Sequence, residues 1–460
     1  MASPTICCIP IEVKSRTLDS RLFLALKLLA HGFDVLLGEK NAIYDSACAL
    51  TKPFIYLSKG EAAHSAGSLA RLKQAGGAIV LLDEEGGIFR PNWDVFPLRT
   101  DDQILRHIDL YCAWGAKQKY QLCKRSNVLQ EQDIVITGNP RFDMAGERFN
   151  PAFEKIASLE PMPTPGFTLI NTSFVHANDA GAHGEDAFSL VSNFTRELWG
   201  DRYDHRAFTK IFHYEKLLFE YFTEAVAELA SIYPEKQFVI RPHPRESLDT
   251  YHARLKQFAN VLISNSSNVR YWIQRATHII HHDCTTAIEG RLSGTAAFAY
   301  QPVMDKHFVA PLTQVVSTPI GSLDQLLDAV NETETRSKAL SQAEIQALKP
   351  WIDTIDTHDS TERLAREFEK RFASEQNFRR FTRQSRDLSA ESESKTVAPQ
   401  AATETKLQHA LVARTKAKFP GLTLDELDCR IEILRAFDAT LPAVHREEQA
   451  GAFLFQSGMS

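Results

Sequence analysis

Three short runs of this chain place reactive residue types at spacings that suit chemistry. The first is LLDEEGG, where Asp83, Glu84 and Glu85 precede Gly86 and Gly87. A carboxylate at the end of an apolar run can act as general base toward a hydroxyl, or as a nucleophile. The glycines permit a tight turn and close approach of a substrate. Side chains alternate along extended backbone, so Asp83 and Glu85 are expected on one face and Glu84 on the other. Glu85, next to Gly86, is the first choice for the catalytic group and Glu84 the second. The run reads equally well as a solvated acidic turn. The second is RPHP, Arg241 to Pro244, directly after the apolar FVI. Its prolines rule out a continuing helix or ladder. Arg241 can offer a bidentate fork to a phosphate, and His243 can donate or protonate at a leaving oxygen. A structural turn with a solvent-facing His is the plainer alternative. The third is HHDCTTAIEG, where Thr285 and Thr286 fall at an expected helix start, with Glu289 one turn on. Free N–H groups beside two hydroxyls bind an anion without metal, although N-capping alone also explains the threonines. His281 and His282 lack a third ligand at zinc spacing.

Two further charged runs follow apolar segments. IPIEVKSRTLDSRL carries Glu12, Lys14, Arg16, Asp19 and Arg21; Arg16 and Arg21 could bind an acidic sugar or a phosphate, or the run is a solvated helix start. GNPRFD carries Arg141 and Asp143 in a similar position.

The surrounding pattern is what positions these runs. TICCIPI (5–11), DVLLG (34–38), PFIYLS (53–58), AIVLLD (78–83) and the run ending in GNPRFD are short apolar strands, with helical stretches between them. Such alternation implies parallel pairing. After PMPTPG (161–166), a candidate hinge, FTLINTS with Asn171, QFVIRPHP, NVLIS, HIIHHD and AAFAY repeat the pattern. The helix at about 207–231 offers Phe212, Leu217, Leu218, Phe222, Val226 and Leu229 as its buried face. The expected fold class is therefore α/β, with domains at 1–160 and 161–349 and returning helices at 350–382. Residues 383–406 have almost no large apolar residues and read as a disordered linker. A small helical appendage is expected at 407–460, and a chain ending near 375 should still form both domains.

Composition narrows the class. A net charge of -6 on 460 residues does not suit a dedicated nucleic-acid binder. Seven scattered cysteines with no CxxC pair give neither a zinc site nor a disulfide framework. No signal-peptide core or bilayer-length apolar run is evident, so a cytoplasmic protein is expected, in peripheral contact at most with the inner membrane or with other assembly enzymes.

An acidic pair before glycine, an HP dipeptide and a later pair of hydroxyls together resemble the bacterial GT-B sialyltransferases and the related Kdo transferases. The run of motifs over about 5–305 is also similar to bacterial surface carbohydrate biosynthesis proteins. The resemblance implies two Rossmann-like domains facing a central crevice and a metal-independent glycosyltransferase without a cofactor. It would act in capsule or lipopolysaccharide synthesis. The partners it implies are a glycan acceptor and a CMP-activated donor carrying a Kdo-like or nonulosonic acid. Carried over by motif, Glu85 or Glu84 supplies the catalytic carboxylate, His243 meets the donor phosphate or leaving group, and Thr285 and Thr286 bind the CMP phosphate. Arg241, Glu289, Arg16, Arg21, Asn171 and Asp19 complete the expected substrate-binding set, with Asp19 also a reserve catalytic candidate. Alternatives are a UDP- or CDP-dependent GT-B relative, such as a sugar 2-epimerase or polyol-phosphate transferase, and a non-catalytic nucleotide-sugar binder.

Overall fold

The structure, a computed structural model, describes residues 5–60, 65–91, 93–182, 186–331, 340–382, 418–449 and 452–457. The chain divides into two compact units. One comprises Met1–Gly87, Phe96–Met144 and Lys349–Ser460; the other comprises Ile88–Val95 and Ala145–Leu348. Residues 383–406, the expected linker, lie outside the described residues.

The first unit is built on β1 (Ile6–Ile11), β2 (Asp34–Glu39), β3 (Phe54–Ser58), β4 (Gly77–Leu82), β5 (Leu110–Ala113) and β6 (Ile134–Ile136). They pair in parallel in the order β2-β1-β3-β4-β5-β6. Every residue of β3 and β4 is buried, as a sheet covered on both faces requires. The helix Lys14–Ala30 buries Leu22, Phe23, Leu26 and Leu29. It begins well before the leucine-rich stretch, because nothing between Val13 and His31 breaks a helix. Lys14, Arg16, Asp19 and Arg21 therefore stand on helix turns, not on a loop.

The second unit is built on β7 (Phe167–Asn171), β8 (Phe238–Arg241), β9 (Val261–Ile263), β10 (Ala276–His281), β11 (Ala296–Tyr300) and β12 (Thr318–Ile320). All are parallel, in the order β12-β11-β10-β7-β8-β9. The helix His205–Ile232 buries Phe212, Leu218, Phe222, Val226 and Leu229 together with Phe208 and Phe219. Leu217 is left 44% exposed, because the stripe at 208, 212, 215, 219, 222 and 226 passes it by. On the other sheet face, Trp272 packs on Phe167.

Two expected boundaries are corrected. The chain leaves the first unit after Met144, not at the proline-rich 161–166, and rejoins it at Lys349. The intervening helix Asn150–Ala157 packs on the helix Val269–Arg275 of the second sheet, through Phe153 against Tyr271 and an Arg275–Glu154 ion pair. The C-terminal segment is not a separate helical appendage. It contains the helix Leu424–Phe437 and a hairpin of β13 (Val444–Gln449) and β14 (Ala452–Ser457). β14 pairs antiparallel with β2 and extends the first sheet, burying Ala452, Phe453 and Phe455. Among the described residues, no helix is long and apolar enough to cross a membrane.

Candidate functional site

In the first unit the acidic turn follows β4, at the carboxyl edge of the parallel strands, where open α/β sheets bind ligands. Asp83 is buried, and Arg99 Nε reaches its two oxygens at 3.2 and 3.3 Å. Arg99 Nη1 also binds Glu85 Oε2 at 3.0 Å. Burial pushes the Asp83 carboxyl up, against the pull of Arg99. Trp114 Nε1 donates to the Asp83 carbonyl at 2.6 Å, and Gly86 lies where any Cβ would run into the Gln118 amide. The turn is thus a packed structure, not a solvated one.

Alternation along the turn holds: Asp83 and Glu85 share Arg99, and Glu84 lies apart from them. The consequence differs from expectation. Glu84, not Glu85, lines a hollow partly open to solvent, together with Thr17, Ser20, Arg21, Leu82, Asn139, Pro140 and Arg141. Arg21 Nη2 approaches Glu84 Oε1 at 3.4 Å.

The other charges of the N-terminal run serve the fold. Asp19 is 2% exposed and paired with Arg430 of the C-terminal helix at 2.8 Å, so it is neither a substrate ligand nor a reserve catalytic group. Glu12 is held by Lys59 and Lys418, which depress its carboxyl to about 2 against the opposing effect of burial. Lys14 pairs with Glu426. Arg16, on the first turn of its helix, does not line the hollow. In GNPRFD, Arg141 lines the hollow, while Asp143 accepts the backbone N–H groups of Ser360 and Thr361 at a helix start.

In the second unit, Asn171, RPHP and HHDCTT stand at the ends of three adjacent strands, β7, β8 and β10. Asn171, the last residue of β7, donates through Nδ2 to Thr286 Oγ1 at 2.9 Å. The next residue, Thr172, donates to Glu246 Oε1 at 3.0 Å, and the same oxygen accepts the backbone N–H of His243 at 2.9 Å. Tyr251 Oη donates to Glu246 Oε2 at 2.6 Å. Burial pushes Glu246 up to about 7 in spite of these donors. His243 Nδ1 accepts the backbone N–H of Arg245 at 3.2 Å, which puts the proton of the neutral ring on Nε2.

Several expected ligands have other duties. The two terminal nitrogens of Arg241 each donate at 2.6 Å, to the carbonyls of Ser266 and Ser267. Burial lowers its pKa to about 9, and it clamps a loop instead of offering a fork to phosphate. Thr285 makes no side-chain cap, and the helix it precedes, Thr286–Leu292, has seven residues and ends before Gly294 in the left-handed region at φ 83°. Glu289 is buried within that helix. Burial depresses His281 to about 3; it bonds Ser317 Oγ at 2.8 Å, and His282 stacks on Phe174. Asp283 is held by Arg90 and Thr313. Among the described residues, no three His, Cys, Asp or Glu side chains gather as a metal site.

Sequence reasoning passed over Arg99, Thr172, Arg90 and Glu246. Only Glu246 carries a local signal, an acid three residues after His243 in a proline-bounded turn.

No family model matches the chain, and no curated protein matches it. Among solved structures, one of the wall teichoic acid polymerase TagF soaked with CDPG aligns over 80% of this chain and 89% of that one, at 11% identity and TM-score 0.51. A second TagF structure aligns over 80% and 88%, at 12% identity and TM-score 0.50. The fold is GT-B. The UDP-GlcNAc 2-epimerase of Methanocaldococcus jannaschii, in complex with UDP-GlcNAc and UDP, aligns over 79% of this chain and 99% of that one, at 10% identity and TM-score 0.46. Of the resemblance drawn from the motifs, the GT-B fold stands.

Proposed function

We propose that the chain is a glycosyltransferase of surface polysaccharide synthesis, capsule or lipopolysaccharide, using a nucleotide-activated sugar whose phosphate is held by the second unit. The observation that carries this reading is the bonded path from Thr286 through Asn171, Thr172 and Glu246 to the backbone of His243. It fixes a hydroxyl after β10 and the backbone that carries an imidazole after β8, on either side of β7. An Nε2–H there suits a leaving phosphate oxygen, to which it can donate as bond breaking builds charge. In the first unit Glu84 is the general base for the acceptor hydroxyl, with the Arg21 guanidinium 3.4 Å away. The motif resemblance favours a CMP-linked Kdo-like or nonulosonic acid as donor. A second reading, a UDP- or CDP-linked donor as in a polyol-phosphate transferase, draws support from the TagF likeness, since one TagF structure was soaked with CDPG.

A thermal-shift panel of CMP, CDP, UMP and UDP in EDTA tests both. Stabilisation by CMP supports the first reading; stabilisation by CDP or UDP without CMP moves the donor to the second. In either case His243→Ala and Thr286→Val should weaken the effect. If no nucleotide raises Tm, the donor site is misassigned.

A further inference from the structure

We propose that the hollow of the first unit binds an anionic group, a phosphate or a carboxylate, carried by the acceptor. Arg21 is only 4% exposed, and its Nη1 is buried without a hydrogen-bond partner. Buried donors in folded proteins are nearly always satisfied, so a bare guanidinium nitrogen on a residue that lines a hollow calls for an acceptor. Its other terminal nitrogen meets Glu84 at 3.4 Å, longer than the ~2.7–2.9 Å of a close charge-assisted bond. Arg141 also lines the hollow, 8% exposed, with its guanidinium 4.8 Å from the Phe142 ring centre and 5.4 Å from that of Trp114. Stacking on aromatic faces holds a guanidinium plane in place.

The lining side chains include two guanidinium groups, Arg21 and Arg141, and one carboxylate, Glu84. The acids nearby are engaged elsewhere: Asp83 and Glu85 with Arg99, Asp19 with Arg430, and Asp143 with the helix start at Ser360. A guanidinium donor suits a planar or tetrahedral anion better than a cation or a neutral sugar. Thr17, Ser20 and Asn139 supply the remaining polar wall. Only the assignment of the anion to an acceptor rests on the transferase reading; the anion site itself stands on the lining.

The test uses the full chain, with methyl phosphate and D-glucuronate as the two anions and methyl glucoside as the neutral control, followed by calorimetry and thermal shift. At least one anion should bind the wild type and His243→Ala alike, while Arg21→Gln weakens it about tenfold or more. Which anion binds distinguishes a phosphorylated acceptor from an acidic sugar. Should Arg21→Gln not fold, Arg141→Gln decides the matter by the same measurement. The proposal is overturned if neither anion binds, if the neutral sugar binds as well as both, if binding survives in the arginine variant, or if it is lost in His243→Ala. Nucleotide binding lost in His243→Ala but retained in Arg21→Gln bears on the donor reading alone, so the two can fail separately.

Discussion

At the scale of single residues, the acidic turn separates two glutamates that differ by one position. Glu85 is tied to Arg99, whereas Glu84 lines the hollow beside Arg21. As general base, Glu84 is expected to lose about 10²–10⁴-fold in turnover on change to Gln, with Tm nearly unmoved because its ion pair is long. Glu85→Gln should keep most of the activity; a sugar-transfer assay with the reverse result would restore Glu85 to the catalytic role. Glu246 offers a second measurement, of stability against pH. Its folded-state carboxyl titrates near 7, against an ordinary glutamate value of 4.5. Between those values the folded chain keeps a proton that the unfolded chain has released. This contribution is therefore full below about 4.5 and is lost as pH rises through 7. Urea unfolding of Glu246→Gln and wild type across that window should show the gap between them shifting in favour of Gln as pH rises. A gap independent of pH would mean that the carboxyl is ionised throughout.

At the scale of elements, the C-terminal hairpin is part of the first sheet. Phe453 and Phe455 are buried where β14 covers the β2 edge, so Phe455→Ala should cost about 3–5 kcal/mol in denaturant unfolding. Deleting the hairpin leaves the apolar edge of β2 unpaired, and such edges aggregate. A soluble, cooperatively folding chain ending near 375 would contradict this. Most of the parallel strands were legible because they are short apolar runs, and this also pointed to LLDEEGG, RPHP and HHDCTT at strand ends; β12, the short TPI, was not. Nor was the hairpin. VHREEQ has no alternation to betray a strand, and β14 pairs with a strand some four hundred residues earlier. The same distance hid Arg430 from Asp19 and left the N-terminal charges looking like ligands. Arg99 was equally invisible: nothing near it in sequence says that a buried aspartate needs it. His243 and Thr286 could be named as residues, but not the Asn171–Thr172–Glu246 path that joins them.

At the scale of the whole molecule, the chain passes from one unit to the other four times, after Gly87, Val95, Met144 and Leu348. The shortest excursion, Ile88–Val95, places Trp93 against Trp199 with ring centres 4.3 Å apart, and near His176 and Phe208. From the same excursion Arg90 holds Asp283. No single backbone cut therefore releases either unit. Residues 145–348 expressed alone would carry an empty aromatic slot and a buried Asp283 stripped of its cation. The eight residues that fill both become, once severed, a ligand for the domain they came from. Supplied as a free peptide, they would bind by fragment complementation, and the indole of Trp93 would report its own docking by fluorescence.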